Sequence, residues 1–166
     1  MKRLIVTFLV VAAAVAAPYS AKAIEGPFPK GTLIYGLQAG LYPGIGGSLY
    51  GDCVIVDSWW KGHFTVGAQL GFRHWSHSGD MGWVYNDLAV VPRATYGLNI
   101  TRNFEVHAGA LLGLGVRFYD KESHLGLCYG GLTGLRYFLS EGFALSAEFN
   151  YSGFGPWLNA GVALKF

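Results

Sequence analysis

The chain has 166 residues, 52% of them hydrophobic, 16% aromatic and only 13% charged, with 25 glycines and a formal net charge of +2. Beyond the N-terminus no stretch is apolar over the roughly 20 residues that a membrane-spanning helix needs, and no basic cluster points to nucleic acid. A hydrophobic chain without such helices places its apolarity on alternate residues, which is the pattern of a membrane β-barrel.

Lys2 and Arg3 precede an apolar run from Leu4 to Ala17, and Ala21-Lys22-Ala23 puts small residues at both key positions of a cleavage site. This order predicts a secretory signal peptide over residues 1–23 and a single barrel domain over 24–166. No cysteine follows the site, so N-terminal lipidation has no acceptor there. The signal would carry off three of the 12 basic residues and none of the 10 acidic ones, leaving a mature charge of about −1.

Residues 24–30 read as a Pro-containing lead-in, and eight strands follow. The first, Gly31–Leu41, sends Leu33, Tyr35, Leu37, Ala39 and Leu41 outward and Gln38 inward. Turn chemistry over Tyr42–Gly47 leads to the second, Ser48–Val56, with Cys53 outward and Asp52 inward. Asp57–His63 connects to the third, Phe64–Trp75, where Phe64, Val66, Ala68, Leu70 and Phe72 alternate with Thr65, Gly67, Gln69, Gly71 and Arg73. Ser76–Gly82 is the most polar connection. The fourth strand, Trp83–Leu98, contains Pro92, which removes a ladder donor and predicts a bulge or irregularity. The fifth, Phe104–Tyr119, is the cleanest alternation. The sixth, Leu125–Phe138, follows a charged turn over Asp120–His124. The seventh is Phe143–Tyr151 and the last Trp157–Phe166. An even number of strands joined by short links suits a closed up-and-down antiparallel barrel.

Polarity separates a membrane barrel from a soluble one of the lipocalin type. Asp52, Arg73, Asp87, Arg93, Glu105, Arg117, Arg136, Glu148 and Lys165 all fall on the inward faces, as does His107, whereas the outward faces carry only Asp57 at a strand end. A soluble barrel would place its charges outside. With the termini at the inner end, Arg73, Asp87 and Arg117 fall near the outer end and Asp52, Arg93 and Glu148 at mid-height. Glu105, His107, Arg136 and Lys165 fall near the inner end. Each level holds both signs, as a narrow interior requires. An interior only just wide enough for its side chains predicts a packed polar plug; a narrow channel for small or apolar solutes is the alternative.

Cys53 and Cys128 fall on opposite faces, which argues against a disulfide. No metal-ligand spacing, phosphate loop or dinucleotide fingerprint is present, and no cofactor is expected. Residues 73–80 gather His74, Ser76, His77, Ser78 and Asp80 at the outer rim, where an enzyme acting on outer-leaflet lipid would need a nucleophile and base. Polar loops routinely contain these residues, so the expectation is a solvated loop, with a lipid-modifying enzyme as a third reading. Phe149-Asn150-Tyr151-Ser152 resembles the lipid A deacylase stretch but places Asn150 where that family has its histidine.

The closing segment WLNAGVALKF alternates Leu158, Ala160, Val162, Leu164 and Phe166 on one face and ends on the aromatic Phe166. It resembles the C-terminal signature of bacterial outer-membrane barrels, in which the terminal aromatic and the alternate residues before it, here Leu164 and Val162, form the insertion signal. With Gly134-Leu135-Arg136-Tyr137-Phe138-Leu139-Ser140 and Pro156-Trp157, the chain resembles the small eight-stranded family of the OmpX, OmpA transmembrane-domain and OmpW types. The resemblance implies a porin-like, monomeric, non-enzymatic barrel in the bacterial outer membrane, with a structural or surface-interaction role. It also implies outer-membrane lipid as surroundings, and periplasmic chaperones and the barrel assembly machinery as partners during biogenesis. The outer connections are short for that family, which leaves little loop for adhesion.

Overall fold

The computed structural model describes residues 28–60, 62–76, 84–119 and 122–166. The expected signal peptide, most of the loop carrying His77, Ser78 and Asp80, and the head of the Asp120–His124 turn lie outside the described residues. Eight strands follow in order: β1 Leu33–Leu41, β2 Ile45–Trp59, β3 Gly62–Ser76, β4 Val84–Thr101, β5 Phe104–Tyr119, β6 Glu122–Phe138, β7 Phe143–Ser152 and β8 Leu158–Lys165. Each pairs antiparallel with its neighbour, and β8 returns to β1 to close the barrel. The seam runs from Ile34↔Lys165 to Leu41↔Leu158. Reciprocal backbone hydrogen bonds between Leu33 and Phe166, 3.0 and 2.9 Å long, extend it to the terminal residue. Closure removes every sheet edge, so no row of strand N–H and C=O groups is left unpaired toward an apolar surrounding.

Several strands outrun the sequence expectation. β2 begins at Ile45 and continues through Asp57 and Ser58 to Trp59, β4 reaches Thr101, and β6 begins at Glu122. Polar residues there do not end the strand, because ladder pairing continues past the apolar belt where the side chains are free to face water. The expected six-residue turn contracts to Tyr42-Pro43-Gly44, where Gly44 takes φ 78°. Pro92 produces no bulge. The β3–β4 register passes unbroken through Ala68↔Pro92, and the β4–β5 register is the same at Val90↔Leu114 and Arg93↔Leu111. Its missing donor costs one local gap on the β5 side rather than an inserted residue. The register shifts lie elsewhere, between Val54 and Trp59 in β2 and between Asn99 and Thr101 in β4, both at the end carrying the termini, the rim position where bulges concentrate.

The faces separate by strand parity. In β1 exposed and buried residues alternate without exception. Outward Leu37, Leu41, Val90, Leu112, Leu127 and Tyr129 are each between 57% and 68% exposed, while inward Asp52, Asp87, Glu105, Arg136 and Glu148 are at most 3% exposed. The barrel is thus apolar outside and charged inside. Cys53 and Cys128 are both free thiols, the second fully buried.

Candidate functional site

The interior is the chemically loaded part of the molecule, and the strand register builds it. Glu105 stands opposite Arg136 on the β5–β6 ladder, and Asp87 stands opposite Arg73 on one side and Arg117 on the other. Direct cross-strand placement holds opposite charges within bonding reach without further folding.

At mid-height a continuous network crosses the lumen. Arg136 donates through Nη1 to Glu105 Oε1 at 2.9 Å, through Nη2 to Asp52 Oδ2 at 3.2 Å, and through Nε to the Tyr50 hydroxyl at 3.2 Å. Arg93 reaches across the barrel from β4 to β7, donating to Glu148 Oε1 at 2.9 Å and Oε2 at 3.3 Å, and its Nη1 also serves Gln69 Oε1 at 3.1 Å. Arg93 Nε and Asp52 Oδ1 sit 3.1 Å apart, an ion-pair contact without hydrogen-bond alignment. His107 Nε2 lies 3.0 Å from Glu148 Oε1, and its Nδ1 lies 3.5 Å from Glu105. The Tyr50 ring packs under both guanidiniums, 4.3 Å from Arg93 and 5.4 Å from Arg136, adding cation–π attraction to the ion pairs. Two guanidiniums and three carboxylates therefore meet in one desolvated cluster.

The residues assigned separately to mid-height and the inner end thus form one group, because Arg136 bridges Asp52 and Glu105. Lys165 lies below it, with Nζ 5.9 Å from the ring centroids of both Phe28 and Phe138. Phe28 comes from the lead-in, is 2% exposed, and stacks on His63 at 4.4 Å. It closes the end that carries the termini with an apolar cluster of Ile34, Val54, Phe138, Ala144 and Ala163.

At the opposite end, Arg73 and Arg117 share one carboxylate. Arg73 Nε donates to Asp87 Oδ2 at 3.0 Å, with a second bond from its Nη2, and Arg117 Nε donates to Oδ1 at 2.7 Å. Arg117 Nη2 donates to Oδ2 at 3.1 Å, and Trp75 Nε1 adds a fifth donor, also at 3.1 Å. Between the two charged levels lies an apolar layer of Ala89, Val91, Leu111, Cys128 and Leu132, with Phe154 packed on it.

Sequence reasoning missed His63, Tyr50 and Phe154. His63 was assigned to a connection, yet it is 1% exposed and 3.6 Å from Glu105. Tyr50 shares the inward parity of Asp52, a usable signal that an irregular second strand obscured. Phe154 sits in a turn, where periodicity says nothing. Of the rim cluster, His74 points outward and exposed, its Nδ1 2.9 Å from Asn86 Oδ1, and Ser76 is exposed at the end of β3. Asn150 faces the interior at 1% exposure, and neither side-chain polar atom has a hydrogen-bond partner among the described residues.

No protein-family model matches the chain, and no curated protein matches it in sequence. Among solved structures it is similar to Neisserial surface protein A, at 16% identity and a TM-score of 0.54 over 81% of this chain and 94% of that one. It is also similar to a de novo designed transmembrane β-barrel, at 16% identity and a TM-score of 0.49 over 83% and 98%. A third is Ail, the attachment invasion locus protein of Yersinia pestis, at 14% identity and a TM-score of 0.48 over 82% and 96%. At such identities the likeness to the Neisserial protein is one of fold: a small eight-stranded barrel.

Proposed function

We propose that the chain is an integral, non-enzymatic barrel of the bacterial outer membrane, monomeric, with a structural or surface-interaction role and an interior sealed by its own charges. One observation carries the reading: the exterior is the apolar surface and the interior the ionic one. Outward Leu112 at 59% exposure and inward Glu105 at 0% occupy the same strand. In water this arrangement would expose a contiguous hydrophobic wall far larger than the few hundred Å² soluble monomers tolerate. In a bilayer it is the required one, since a basic residue on the lipid face at mid-depth costs roughly 2–4 kcal/mol. The partners in this reading are outer-membrane lipid and, during biogenesis, chaperones and the assembly machinery that read the terminal Phe166.

The mid-height network supports the sealed interior, since Arg93 and Arg136 tie strands β2, β4, β5, β6 and β7 together across the lumen. Conducting solute past it would require breaking ion pairs with no water to replace them.

Cell fractionation tests the location, with the expected result that the protein sediments with the outer membrane, begins at Ile24 by mass spectrometry, and shifts its gel mobility on heating. Recovery as a soluble periplasmic protein would overturn the proposal. Single-channel recording in planar bilayers tests the seal; steady openings would favour a narrow conduit instead.

A further inference from the structure

The turn between β7 and β8 enters the barrel. Phe154 packs on the apolar layer of Ala89, Val91, Leu111, Cys128 and Leu132. It lies over Gly115 and Gly126, where a Cβ on either residue would come within 2.9 Å of it. These glycines are direct partners on the β5–β6 ladder, so two missing side chains, side by side, open a slot in the inner wall that accepts one aromatic ring. The same turn supplies oxygens. Arg73 donates through Nη1 to the Gly155 carbonyl at 2.9 Å and through Nη2 to the Gly153 carbonyl at 2.8 Å, and Arg117 Nη2 reaches Gly153 at 3.1 Å. The Arg117 guanidinium lies 5.2 Å from the Phe154 ring centroid. Two guanidiniums share the one carboxylate of Asp87, so the described groups in this cluster carry a net positive charge.

The turn therefore presents an aromatic ring flanked by oxygen acceptors to a slot and two guanidiniums. We propose that this is a binding site for a small aromatic carboxylate, closed in the free protein by the turn, which occupies the ligand's place. The ligand's ring takes the slot over Gly115 and Gly126. Its carboxylate accepts from the Arg73 and Arg117 donors that Gly153 and Gly155 release, and its charge balances the excess positive charge that neutral carbonyls leave. Deeper in the barrel, Asn150 stands opposite Leu132 of the apolar layer. Both of its amide atoms are buried without a partner among the described residues, a state that normally calls for an external donor or acceptor. A hydroxyl on the ring, remote from the carboxylate, meets that need, so a hydroxybenzoate fits better than benzoate. The Arg93–Glu148 pair lies one ladder step beyond Asn150 in β7 and ends the path, so the feature is a pocket entered from the outer end and not a conduit. The inference goes beyond the structural role proposed above, and its test in purified protein does not depend on cellular location.

Cys128, fully buried in the same layer, reports on the slot. In a Cys53→Ser background, folded protein in detergent micelles is treated with methyl methanethiosulfonate. Phe154→Ala is expected to raise the Cys128 reaction rate about tenfold or more over the parent, since it removes the closed state, whereas Phe154→Leu refills the slot and stays near the parent. 4-Hydroxybenzoate should then protect the thiol saturably and benzoate more weakly. 4-Hydroxybenzyl alcohol, which lacks the anion, should not protect, and adding Arg117→Gln should abolish the benzoate protection without slowing the thiol. The parent should bind 4-hydroxybenzoate by calorimetry, more weakly than Phe154→Ala. If Phe154→Ala loses the folded gel mobility, Gly115→Ala expels the ring from the wall side and raises the thiol rate in the same way, while its methyl fills the slot so that 4-hydroxybenzoate no longer protects. Four results would overturn the proposal: a thiol as slow in the opened variants as in the parent, equal protection by the alcohol, protection indifferent to Arg117→Gln, or no binding by the parent. The last would make the turn a permanent plug and leave Asn150 to a trapped water.

Discussion

Replacing Arg136 with Met removes the cation that three carboxylates converge on. Arg136 Nη1 lies 2.9 Å from Glu105, and its Nη2 lies 3.2 Å from Asp52 and 3.9 Å from Glu148. Without it, Arg93 is the guanidinium left among the described residues to face Asp52 and Glu148, and Glu105 keeps its contacts with His63 and His107. Stranding a buried charge in this way costs about 3–5 kcal/mol. Replacing Glu105 with Gln has the opposite effect on the balance. Two guanidiniums face three carboxylates when both histidines are neutral, so Glu105→Gln brings the network to neutrality while keeping an acceptor for Arg136. The loss is then the charge assistance of the Arg136 bonds, about 1–2 kcal/mol. The double variant should cost less than Arg136→Met alone. Urea unfolding in micelles, followed by tryptophan fluorescence and the heat-dependent mobility shift, measures all three. If Glu105→Gln destabilises as much as Arg136→Met, the excess-carboxylate argument is wrong and the network is held by geometry rather than charge count.

At the outer end the asymmetry reverses. Asp87→Asn leaves Arg73 and Arg117 facing each other and should cost about 3 kcal/mol or more, whereas Arg117→Gln removes a partly exposed side chain and should cost about 1 kcal/mol, both read by the same unfolding assay. Arg73→Met with Asp87→Asn should recover little, because Arg117 still loses its carboxylate; full recovery would mean that the Arg117 bonds contribute nothing. Leu112→Arg on the lipid face should lower folded yield in bilayers by roughly 2–4 kcal/mol, while Leu112→Met should not register. Deleting Phe166 removes both hydrogen bonds of the last β1–β8 rung, and assembled protein in the membrane fraction should fall far below that of a chain lacking Ile24.

Most of the fold is legible in the sequence because period-two alternation is a local property. Glu105 and Leu112 fall on opposite faces whatever the rest of the chain does. Direct pairings are nearly as legible: parity and turn length allow Arg73 to face Tyr85 or Asp87, and the structure places Asp87 opposite it. Contacts across the lumen are less so. That Arg93 of β4 meets Glu148 of β7 depends on strand tilt and stagger, which no local pattern encodes. That Asp87 serves a neighbour on each side is hidden for a related reason, since the count of its partners depends on β5 as well as β3. Strand ends misled most, because Asp57, Ser58 and Glu122 look like turn residues but lie on strands that continue past the apolar belt.

The two ends of the barrel are closed by the same means, with different consequences. Phe28 and Phe154 both lie outside the strands and both turn a ring into the lumen. Neither contributes a rung to the wall, so either can leave without breaking a ladder hydrogen bond, whereas the mid-height network cannot open without stranding charge. Phe28 sits on a histidine and a second phenylalanine, near an ammonium, and its departure would expose an apolar cluster. Phe154 sits beside the Arg117 guanidinium, and the carbonyls of its own turn accept from both Arg73 and Arg117. The energy released by replacing the first ring is hydrophobic and unspecific; replacing the second rewards a ligand with both a ring and a negative charge. On the proposal above, selectivity lies at the end opposite the termini, where the described charges, two guanidiniums on one carboxylate, carry a net positive charge.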